Sequence, residues 1–236
     1  MVPIGSTDVL AIVRDISASK AEGVIRKSLR EKEVLLKEVH HRVKNNLQVI
    51  SSLLKLQAMN VSDVAARDVF AQSRSRVHSI ALVHEKLYQS KDLSHVDFDD
   101  YARVLVESLF HAHEAAERGI SPVIHIDERI LAVDAAIPCG LIINELVTNA
   151  LRHGFPDGRT GSVQVALRRI GSERPGWIEL RVTDDGVGLP ADVDPRSVAS
   201  LGLDLVFTFA EQLDAEVDVR RDHGTAFYVR FPCGGG

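Results

Sequence analysis

The sequence has little cysteine and no long apolar run, and each absence narrows what the chain can be. Cys139 and Cys233 are the two cysteines among 236 residues, far apart and outside any CxxC or Cys/His spacing. That excludes a disulfide framework and a structural zinc site, and it fits a reducing cytosol. The most apolar segment, AAIPCGLIINELVTNAL, is interrupted by Asn144, Glu145 and Asn149, so no stretch reaches the roughly 18 uncharged residues of a membrane span. The N-terminus lacks a secretory signal, and the chain reads as cytoplasmic. A net charge of -5 gives no global basic surface, which argues against non-specific nucleic-acid binding. There is no GxxxxGK[ST] loop, which excludes a P-loop mechanism, and no HRD followed by DFG.

What is present is enough apolar material, 45% of the residues, to bury a sizeable core in one or two domains. Residues 8–16, DVLAIVRDI, are β-branched enough for a strand, followed by charged helix with Ser17 or Ser19 as N-cap. VRDIS followed by SKAE resembles the closing strand and exit of a PAS sensor domain; a plain N-terminal strand is the alternative. Between Ala21 and Met59 there is no proline and only Gly23, while Leu36, Val39, Val43, Leu47, Ile50 and Leu54 recur at spacings of three and four, which predicts a long amphipathic helix. Ser62 is placed to cap a second helix over 64–88. One helical hairpin cannot close a core, and two copies make a four-helix bundle, so a homodimer is expected.

Beyond residue 95 the pattern changes. Helices are expected at 98–118, 135–153 and 201–213, with strands at VIHI (123–126), SVQVALRRI, WIELRVTDD, EVDVRRD and TAFYVRFP. The fold class is therefore α+β: a helical-hairpin dimerisation domain followed by an α/β sandwich with one mixed sheet covered on one face by helices. The expected units are 1–20, 21–95 and 96–236.

Three motifs in the second half, NELVTNALRHG (144–154), DDGVGLP (184–190) and SLGLDLV (200–206), precede HGTAFYVRF (223–231). Glu145 and Asn149 are four apart and share a helix face, where an amide oxygen can ligand Mg²⁺ and a carboxylate can orient a metal-bound water. Asp184 ends a strand, where its carboxylate can accept from an adenine amino group while Gly186 and Gly188 let backbone pass close to a base. Leu201 and Gly202 open a helix whose free N–H groups can meet phosphate, and Gly224 and Thr225 bring backbone and hydroxyl nearby. Arg152 and His153 are in reach of phosphate or ribose; a solvated helix end accounts for them as well. In this order the motifs, over residues 98–232, resemble the GHKL ATP-binding superfamily. The resemblance implies ATP and Mg²⁺, with Asn149 on the metal and Asp184 reading adenine.

EVHHRVKNNLQVI, with ALVHEKLYQS and VDFDDYARVL downstream, resembles the sensor histidine kinases of the branch allied to the HWE group. The resemblance implies transfer of the γ-phosphoryl of ATP to a histidine and from there to an aspartate of a response-regulator receiver domain. At about 100° per residue, with Leu36 at zero, the apolar stripe centres near roughly 340°, His40 falls at about 40° and His41 at about 140°. His41 points outward and is the expected phosphoacceptor, flanked by Arg42. Asn45, one turn on, shares its face, and the resemblance suits its amide to positioning water for dephosphorylating the regulator. Many histidine kinases carry a glutamate where this chain has Arg42; either Glu38 takes up the proton or Arg42 stabilises phosphate charge, and both remain open. WIE at 177–179 matches the Trp-x-Glu of the HWE group, but Asn144 stands where that group has a histidine, which places the chain in the sister branch. A competing expectation is a GHKL ATPase or anti-sigma-type serine kinase whose hairpin only dimerises; HHRVKNN disfavours it.

Overall fold

The computed structural model describes residues 6–89, 94–171, 176–190, 193–196, 200–221 and 223–233. Its first element, α1 (Ser6–Asn60), is one 55-residue helix. The strand expected over 8–16 is therefore helical, and with it the resemblance of VRDIS to a closing strand fails. Nothing there breaks a helix, and neither sheet pairs with the segment, so β-branched residues, whose strand preference depends on pairing, follow the helix. Ser17 and Ser19 lie within α1 rather than at its start. The second helix, α2 (Val64–Gln89), begins at the expected residue. Asp63, not Ser62, caps it, accepting from the N–H of Ala65 at 3.2 Å and of Ala66 at 3.3 Å.

The two helices pack as a hairpin. Val43, Leu47 and Leu54 of the expected stripe are half-buried. Leu36, Val39 and Ile50 are not: they stay 47%, 53% and 44% exposed, beside the exposed Leu35, Val49, Leu53 and Leu56.

The second half folds around α4 (Val133–Asn149). A short antiparallel pair, β1 (His95–Asp97) with β3 (Ile130–Ala132), precedes it. Between those strands lie α3 (Phe98–Ala112) and β2 (Ile120–Ile126). Asp97 caps α3 through the Asp100 N–H at 3.1 Å. α3 stops short of the expected 118 because Glu114 turns to φ 51, a left-handed conformation no helix continues through. The remaining elements are β4 (Gly161–Ile170), β5 (Trp177–Asp184), α5 (Leu201–Gln212), β6 (Glu216–Arg220) and β7 (Thr225–Pro232). The main sheet runs β2-β4-β5-β7-β6, parallel between β2 and β4 and antiparallel elsewhere.

One face of the sheet supplies the core: Val163, Val165 and Leu167, then Ile178, Leu180 and Val182, then Phe227, Val229 and Phe231, all buried at alternate positions. On the other face Glu179 is clamped between Arg168 and Arg230, each at 2.8 Å. Burial raises its carboxyl pKa, but the bonds from Arg230 and Arg168 outweigh that and lower it. α4 packs against α2, α3 and α5, which is why its residues from Pro138 to Thr148 are all buried. Gly140 lets Tyr101 pass, since a Cβ there would land on the Tyr101 hydroxyl; that hydroxyl donates to the Ser79 carbonyl of α2 at 3.3 Å. Both cysteines are free. Among the described residues no helix is long and apolar enough to cross a membrane.

Candidate functional site

At the carboxyl end of β5, Asp184 stands between Val163 of β4 and Thr225 of β7 in the ladder. It is 7% exposed, and its Oδ1 accepts from the Gly186 N–H at 3.0 Å and the Thr225 N–H at 3.4 Å. Burial raises its pKa; the N–H groups of Gly186 and Thr225 pull it back, and Asp185 adds to the rise. Gly224, at φ +118, lies so close that a Cβ would strike the Asp184 carbonyl, and a Cβ on Gly186 would strike that of Gly154. Backbone thus encloses one side of the carboxylate.

Beside it opens a cavity of about 510 Å³, walled by Leu146, Ala150, Val182, Leu189, Leu203 and Phe227, with Asn149, His153, Asp184, Ser200 and Thr225 as its polar points. Apolar walls with a few convergent polar groups suit a planar base with a polar edge. After Asn149 the helix widens into one π-helical turn, Ala150–Gly154, a form concentrated at functional sites; His153 and Gly154 line the cavity from it. Arg118 fixes this turn by donating to the Leu151 carbonyl at 2.8 Å and the Phe155 carbonyl at 3.2 Å. At the other end Ser200 precedes the twelve-residue α5 without a side-chain cap, and a helix N-terminus is where backbone N–H groups can meet an anion.

The cavity brings together Asn149, His153, Asp184, Gly188 and Thr225 of the expected site. Gly202 is buried where a Cβ would lie 3.0 Å from a Glu145 oxygen and 3.7 Å from the Asn149 amide. Leu201 is 57% exposed and does not line the cavity. Glu145 and Arg152 turn towards the hairpin: Arg76 of α2 holds Glu145 through two bonds of 2.8 Å, and Arg152 lies 3.6 Å from Asp68. Glu179 of the Trp-x-Glu lies on the far face of the sheet. The apolar walls were missed by motif reading, yet Leu146 sits three residues before Asn149 and Phe227 two after Thr225, the helix and strand spacings that share a face.

Among the described residues no cluster of three or more His, Cys, Asp or Glu could cage a metal. A lone amide oxygen at Asn149 suits Mg²⁺, which keeps its waters and binds through few protein ligands plus substrate phosphates.

On the hairpin, His40 is half-buried and its Nδ1 lies 3.0 Å from Nδ1 of His84 on α2. His41 is exposed, with Nδ1 3.3 Å from the Asn45 amide. Arg42 pairs with Glu38 at 2.7 Å, so the two open candidates for proton and charge handling are bonded to each other. Lys44 reaches Glu85 at 3.1 Å across the hairpin.

Comparison with known proteins finds matches for both parts of the chain. Residues 38–113 match a family model described as histidine kinase, and residues 135–235 match one described as histidine kinase-, DNA gyrase B- and HSP90-like ATPase. The sensor histidine kinase PdtaS of Mycobacterium tuberculosis is 36% identical over 94% of this chain. The blue-light-activated histidine kinase 2 of Erythrobacter litoralis is 30% identical over 84% of the chain. The chain spans 44% of the first relative's length and 56% of the second's. A solved histidine kinase domain from Erythrobacter litoralis superposes with a TM-score of 0.63 at 27% identity, covering 84% of this chain and 90% of that one. The hairpin and the ATPase fold, matched separately and joined in this order, make the chain a member of the histidine kinase family.

Proposed function

We propose that this chain autophosphorylates His41 from Mg-ATP and passes the phosphoryl group to an aspartate of a response-regulator receiver domain. The observation that carries the reading is the exposed His41 on a hairpin joined to an ATPase-type cavity whose buried carboxylate is Asp184. The hairpin unit is taken as 21–95 and the ATP unit as 96–236. In the ATP unit Asp184 accepts from the adenine amino group, Phe227 and Leu146 wall the base, and the uncapped start of α5 at Gly202 receives phosphate oxygens. Asn149 is the protein ligand for Mg²⁺, which when bound neutralises charge on the phosphates.

In the transfer an imidazole nitrogen lone pair of His41 attacks the γ-phosphorus, the bond to the bridging β–γ oxygen breaks, and ADP departs. With its amide turned so that the oxygen accepts from Nδ1–H, Asn45 selects the tautomer whose lone pair is on the outward Nε2. Nδ1 keeps its proton in the imidazolium that forms and gives it up to solvent afterwards, while the Arg42 guanidinium, bonded to Glu38 at 2.7 Å, supplies positive charge for the phosphate. The same Asn45 amide is suited to orient water for dephosphorylating the regulator.

A homodimer is supported by α1 itself. Leu35, Val39, Val49, Ile50, Leu53 and Leu56 form a second apolar strip, centred roughly 100° from the half-buried Val43, Leu47 and Leu54 and about 120° from His41. A second copy of the hairpin covers it and leaves His41 clear.

Incubation with γ-labelled ATP tests the reading. Label stable in alkali, lost in acid, present in His40→Ala and absent in His41→Ala supports it; normal labelling of His41→Ala, or an acid-stable label, sinks it.

A further inference from the structure

The hairpin and the ATP unit meet at a buried polar junction that the proposed transfer does not explain. Arg76, 13% exposed, donates Nε and Nη2 to the two oxygens of Glu145, 6% exposed, at 2.8 Å each. The Asn144 amide donates to the same Glu145 Oε1 at 3.0 Å and accepts from Ser75 at 2.6 Å and Ser79 at 3.3 Å. Glu145 does not line the nucleotide cavity, although Asn149, one turn further along α4, does. Its Oε2 instead sits against Gly202, between Arg76 and the first turn of α5. Where the ATP-domain resemblance wants a carboxylate to orient a metal-bound water, this arrangement gives both its oxygens to the hairpin.

The junction also sits at the wrong level for transfer. His84 marks the height of His40, and Arg76 is eight residues away on α2, roughly 12 Å along the axis. Residues at the junction must separate for the ATP unit to travel that far. Two bonds from a guanidinium to a buried carboxylate are a strong and directional hold, and the hold ends when Glu145 finds another positive partner.

We propose that Arg76 is a positioning residue for phosphoryl transfer: its pair with Glu145 docks the ATP unit on α2, keeps that carboxylate out of the cavity, and opens before the γ-phosphoryl reaches His41. The proposal rests on the transfer to His41 described above. A metal-bound triphosphate held beside Asn149 and Gly202 would offer Glu145 another positive partner, and so would open the pair. ADP, lacking the γ-phosphate, leaves the pair closed.

The test compares wild type, Arg76→Met, Arg76→Lys and the double variant Ser75→Ala/Ser79→Ala, reading kcat and KM for autophosphorylation and ADP affinity by calorimetry. Arg76→Met raises kcat by roughly fivefold or more, with ADP affinity unchanged and KM moving less than kcat. Arg76→Lys, which keeps one charged contact, returns kcat towards wild type. Removing one member of a buried pair can cost the fold; the serine double variant loosens the same junction without stranding a charge and gives a smaller rise. Wild-type or reduced kcat in either loosened variant, with ADP still bound normally, overturns the proposal. Absence of label on His41 in the wild type instead overturns the transfer reading itself.

Discussion

α1 and α4 are both helices rich in aliphatic side chains, and they meet opposite fates. Every residue of α4 from Pro138 to Thr148 is buried among α2, α3 and α5, whereas α1 leaves Leu35, Val49, Leu53 and Leu56 exposed. A single chain supplies all the partners α4 needs and only one of those α1 needs. Core closure in the ATP unit is intramolecular; in the hairpin one apolar strip of α1 stays uncovered. The same contrast separates their chemistry, since the cavity beside α4 is formed by apolar walls while His41 stands in the open.

The largest effect that would sharpen this contrast is at His41. His41→Ala reduces acid-labile labelling to background while ADP affinity, measured by calorimetry, stays at its wild-type value. Next come paired truncations on the two helices. Ile142→Ala in α4, at a residue with no exposure, costs about 2–5 kcal/mol and lowers the melting temperature at any protein concentration. Leu53→Ala in α1, at a residue 55% exposed, leaves the dilute-protein melting temperature unchanged and raises the dimer dissociation constant seen by sedimentation. Equal melting shifts for the two would break the comparison.

Asp184→Asn follows. Losing a charged acceptor in a buried site costs about 1.5–3 kcal/mol, roughly ten- to a hundredfold in affinity, for ATP and ADP alike, with dimerisation intact. Unchanged ADP affinity would remove Asp184 from the base-reading role.

The smallest effect is in pH. Burial, and then the neighbouring His40, hold the pKa of His84 below the ordinary 6.5. The unfolded chain therefore takes up a proton before the folded hairpin does. Stability from this site is complete above about 6.5, declines as pH falls from there to the folded value, and is flat below it. Melting curves between roughly pH 7.5 and 5 show the slope, and His84→Gln removes it.

Sequence reading went furthest where a local period decided the structure. The strands of the main sheet and α2, α4 and α5 emerged because alternation and 3.6-residue spacing survive in their apolar positions. Asp184, Asn149 and Thr225 could be placed near one another because each sits at the end of such an element. What escaped depended on partners distant in sequence. The segment 8–16 has strand-forming residues but no strand to pair with. β1 and β3 are three residues each, too short to show a period. Nothing in Arg76 or Glu145 announces their bond across 69 residues, and an arginine on a polar helix reads as solvated until α4 is seen against it.

The π-helical turn at Ala150–Gly154 gives this site an unusual tolerance of chain length. Such a turn holds one residue more than the α-helix it interrupts. Deleting a single residue within it would relax the backbone to ordinary helix and hold everything downstream at nearly its present angle, because the four residues left turn through about as much as the five did, so that the Gly154 carbonyl stays near the Val187 N–H it accepts at 2.8 Å. Elsewhere in α4 the loss of one residue would turn the rest of the helix by about 100°, so this stretch is where the count of residues can change with least harm to the cavity.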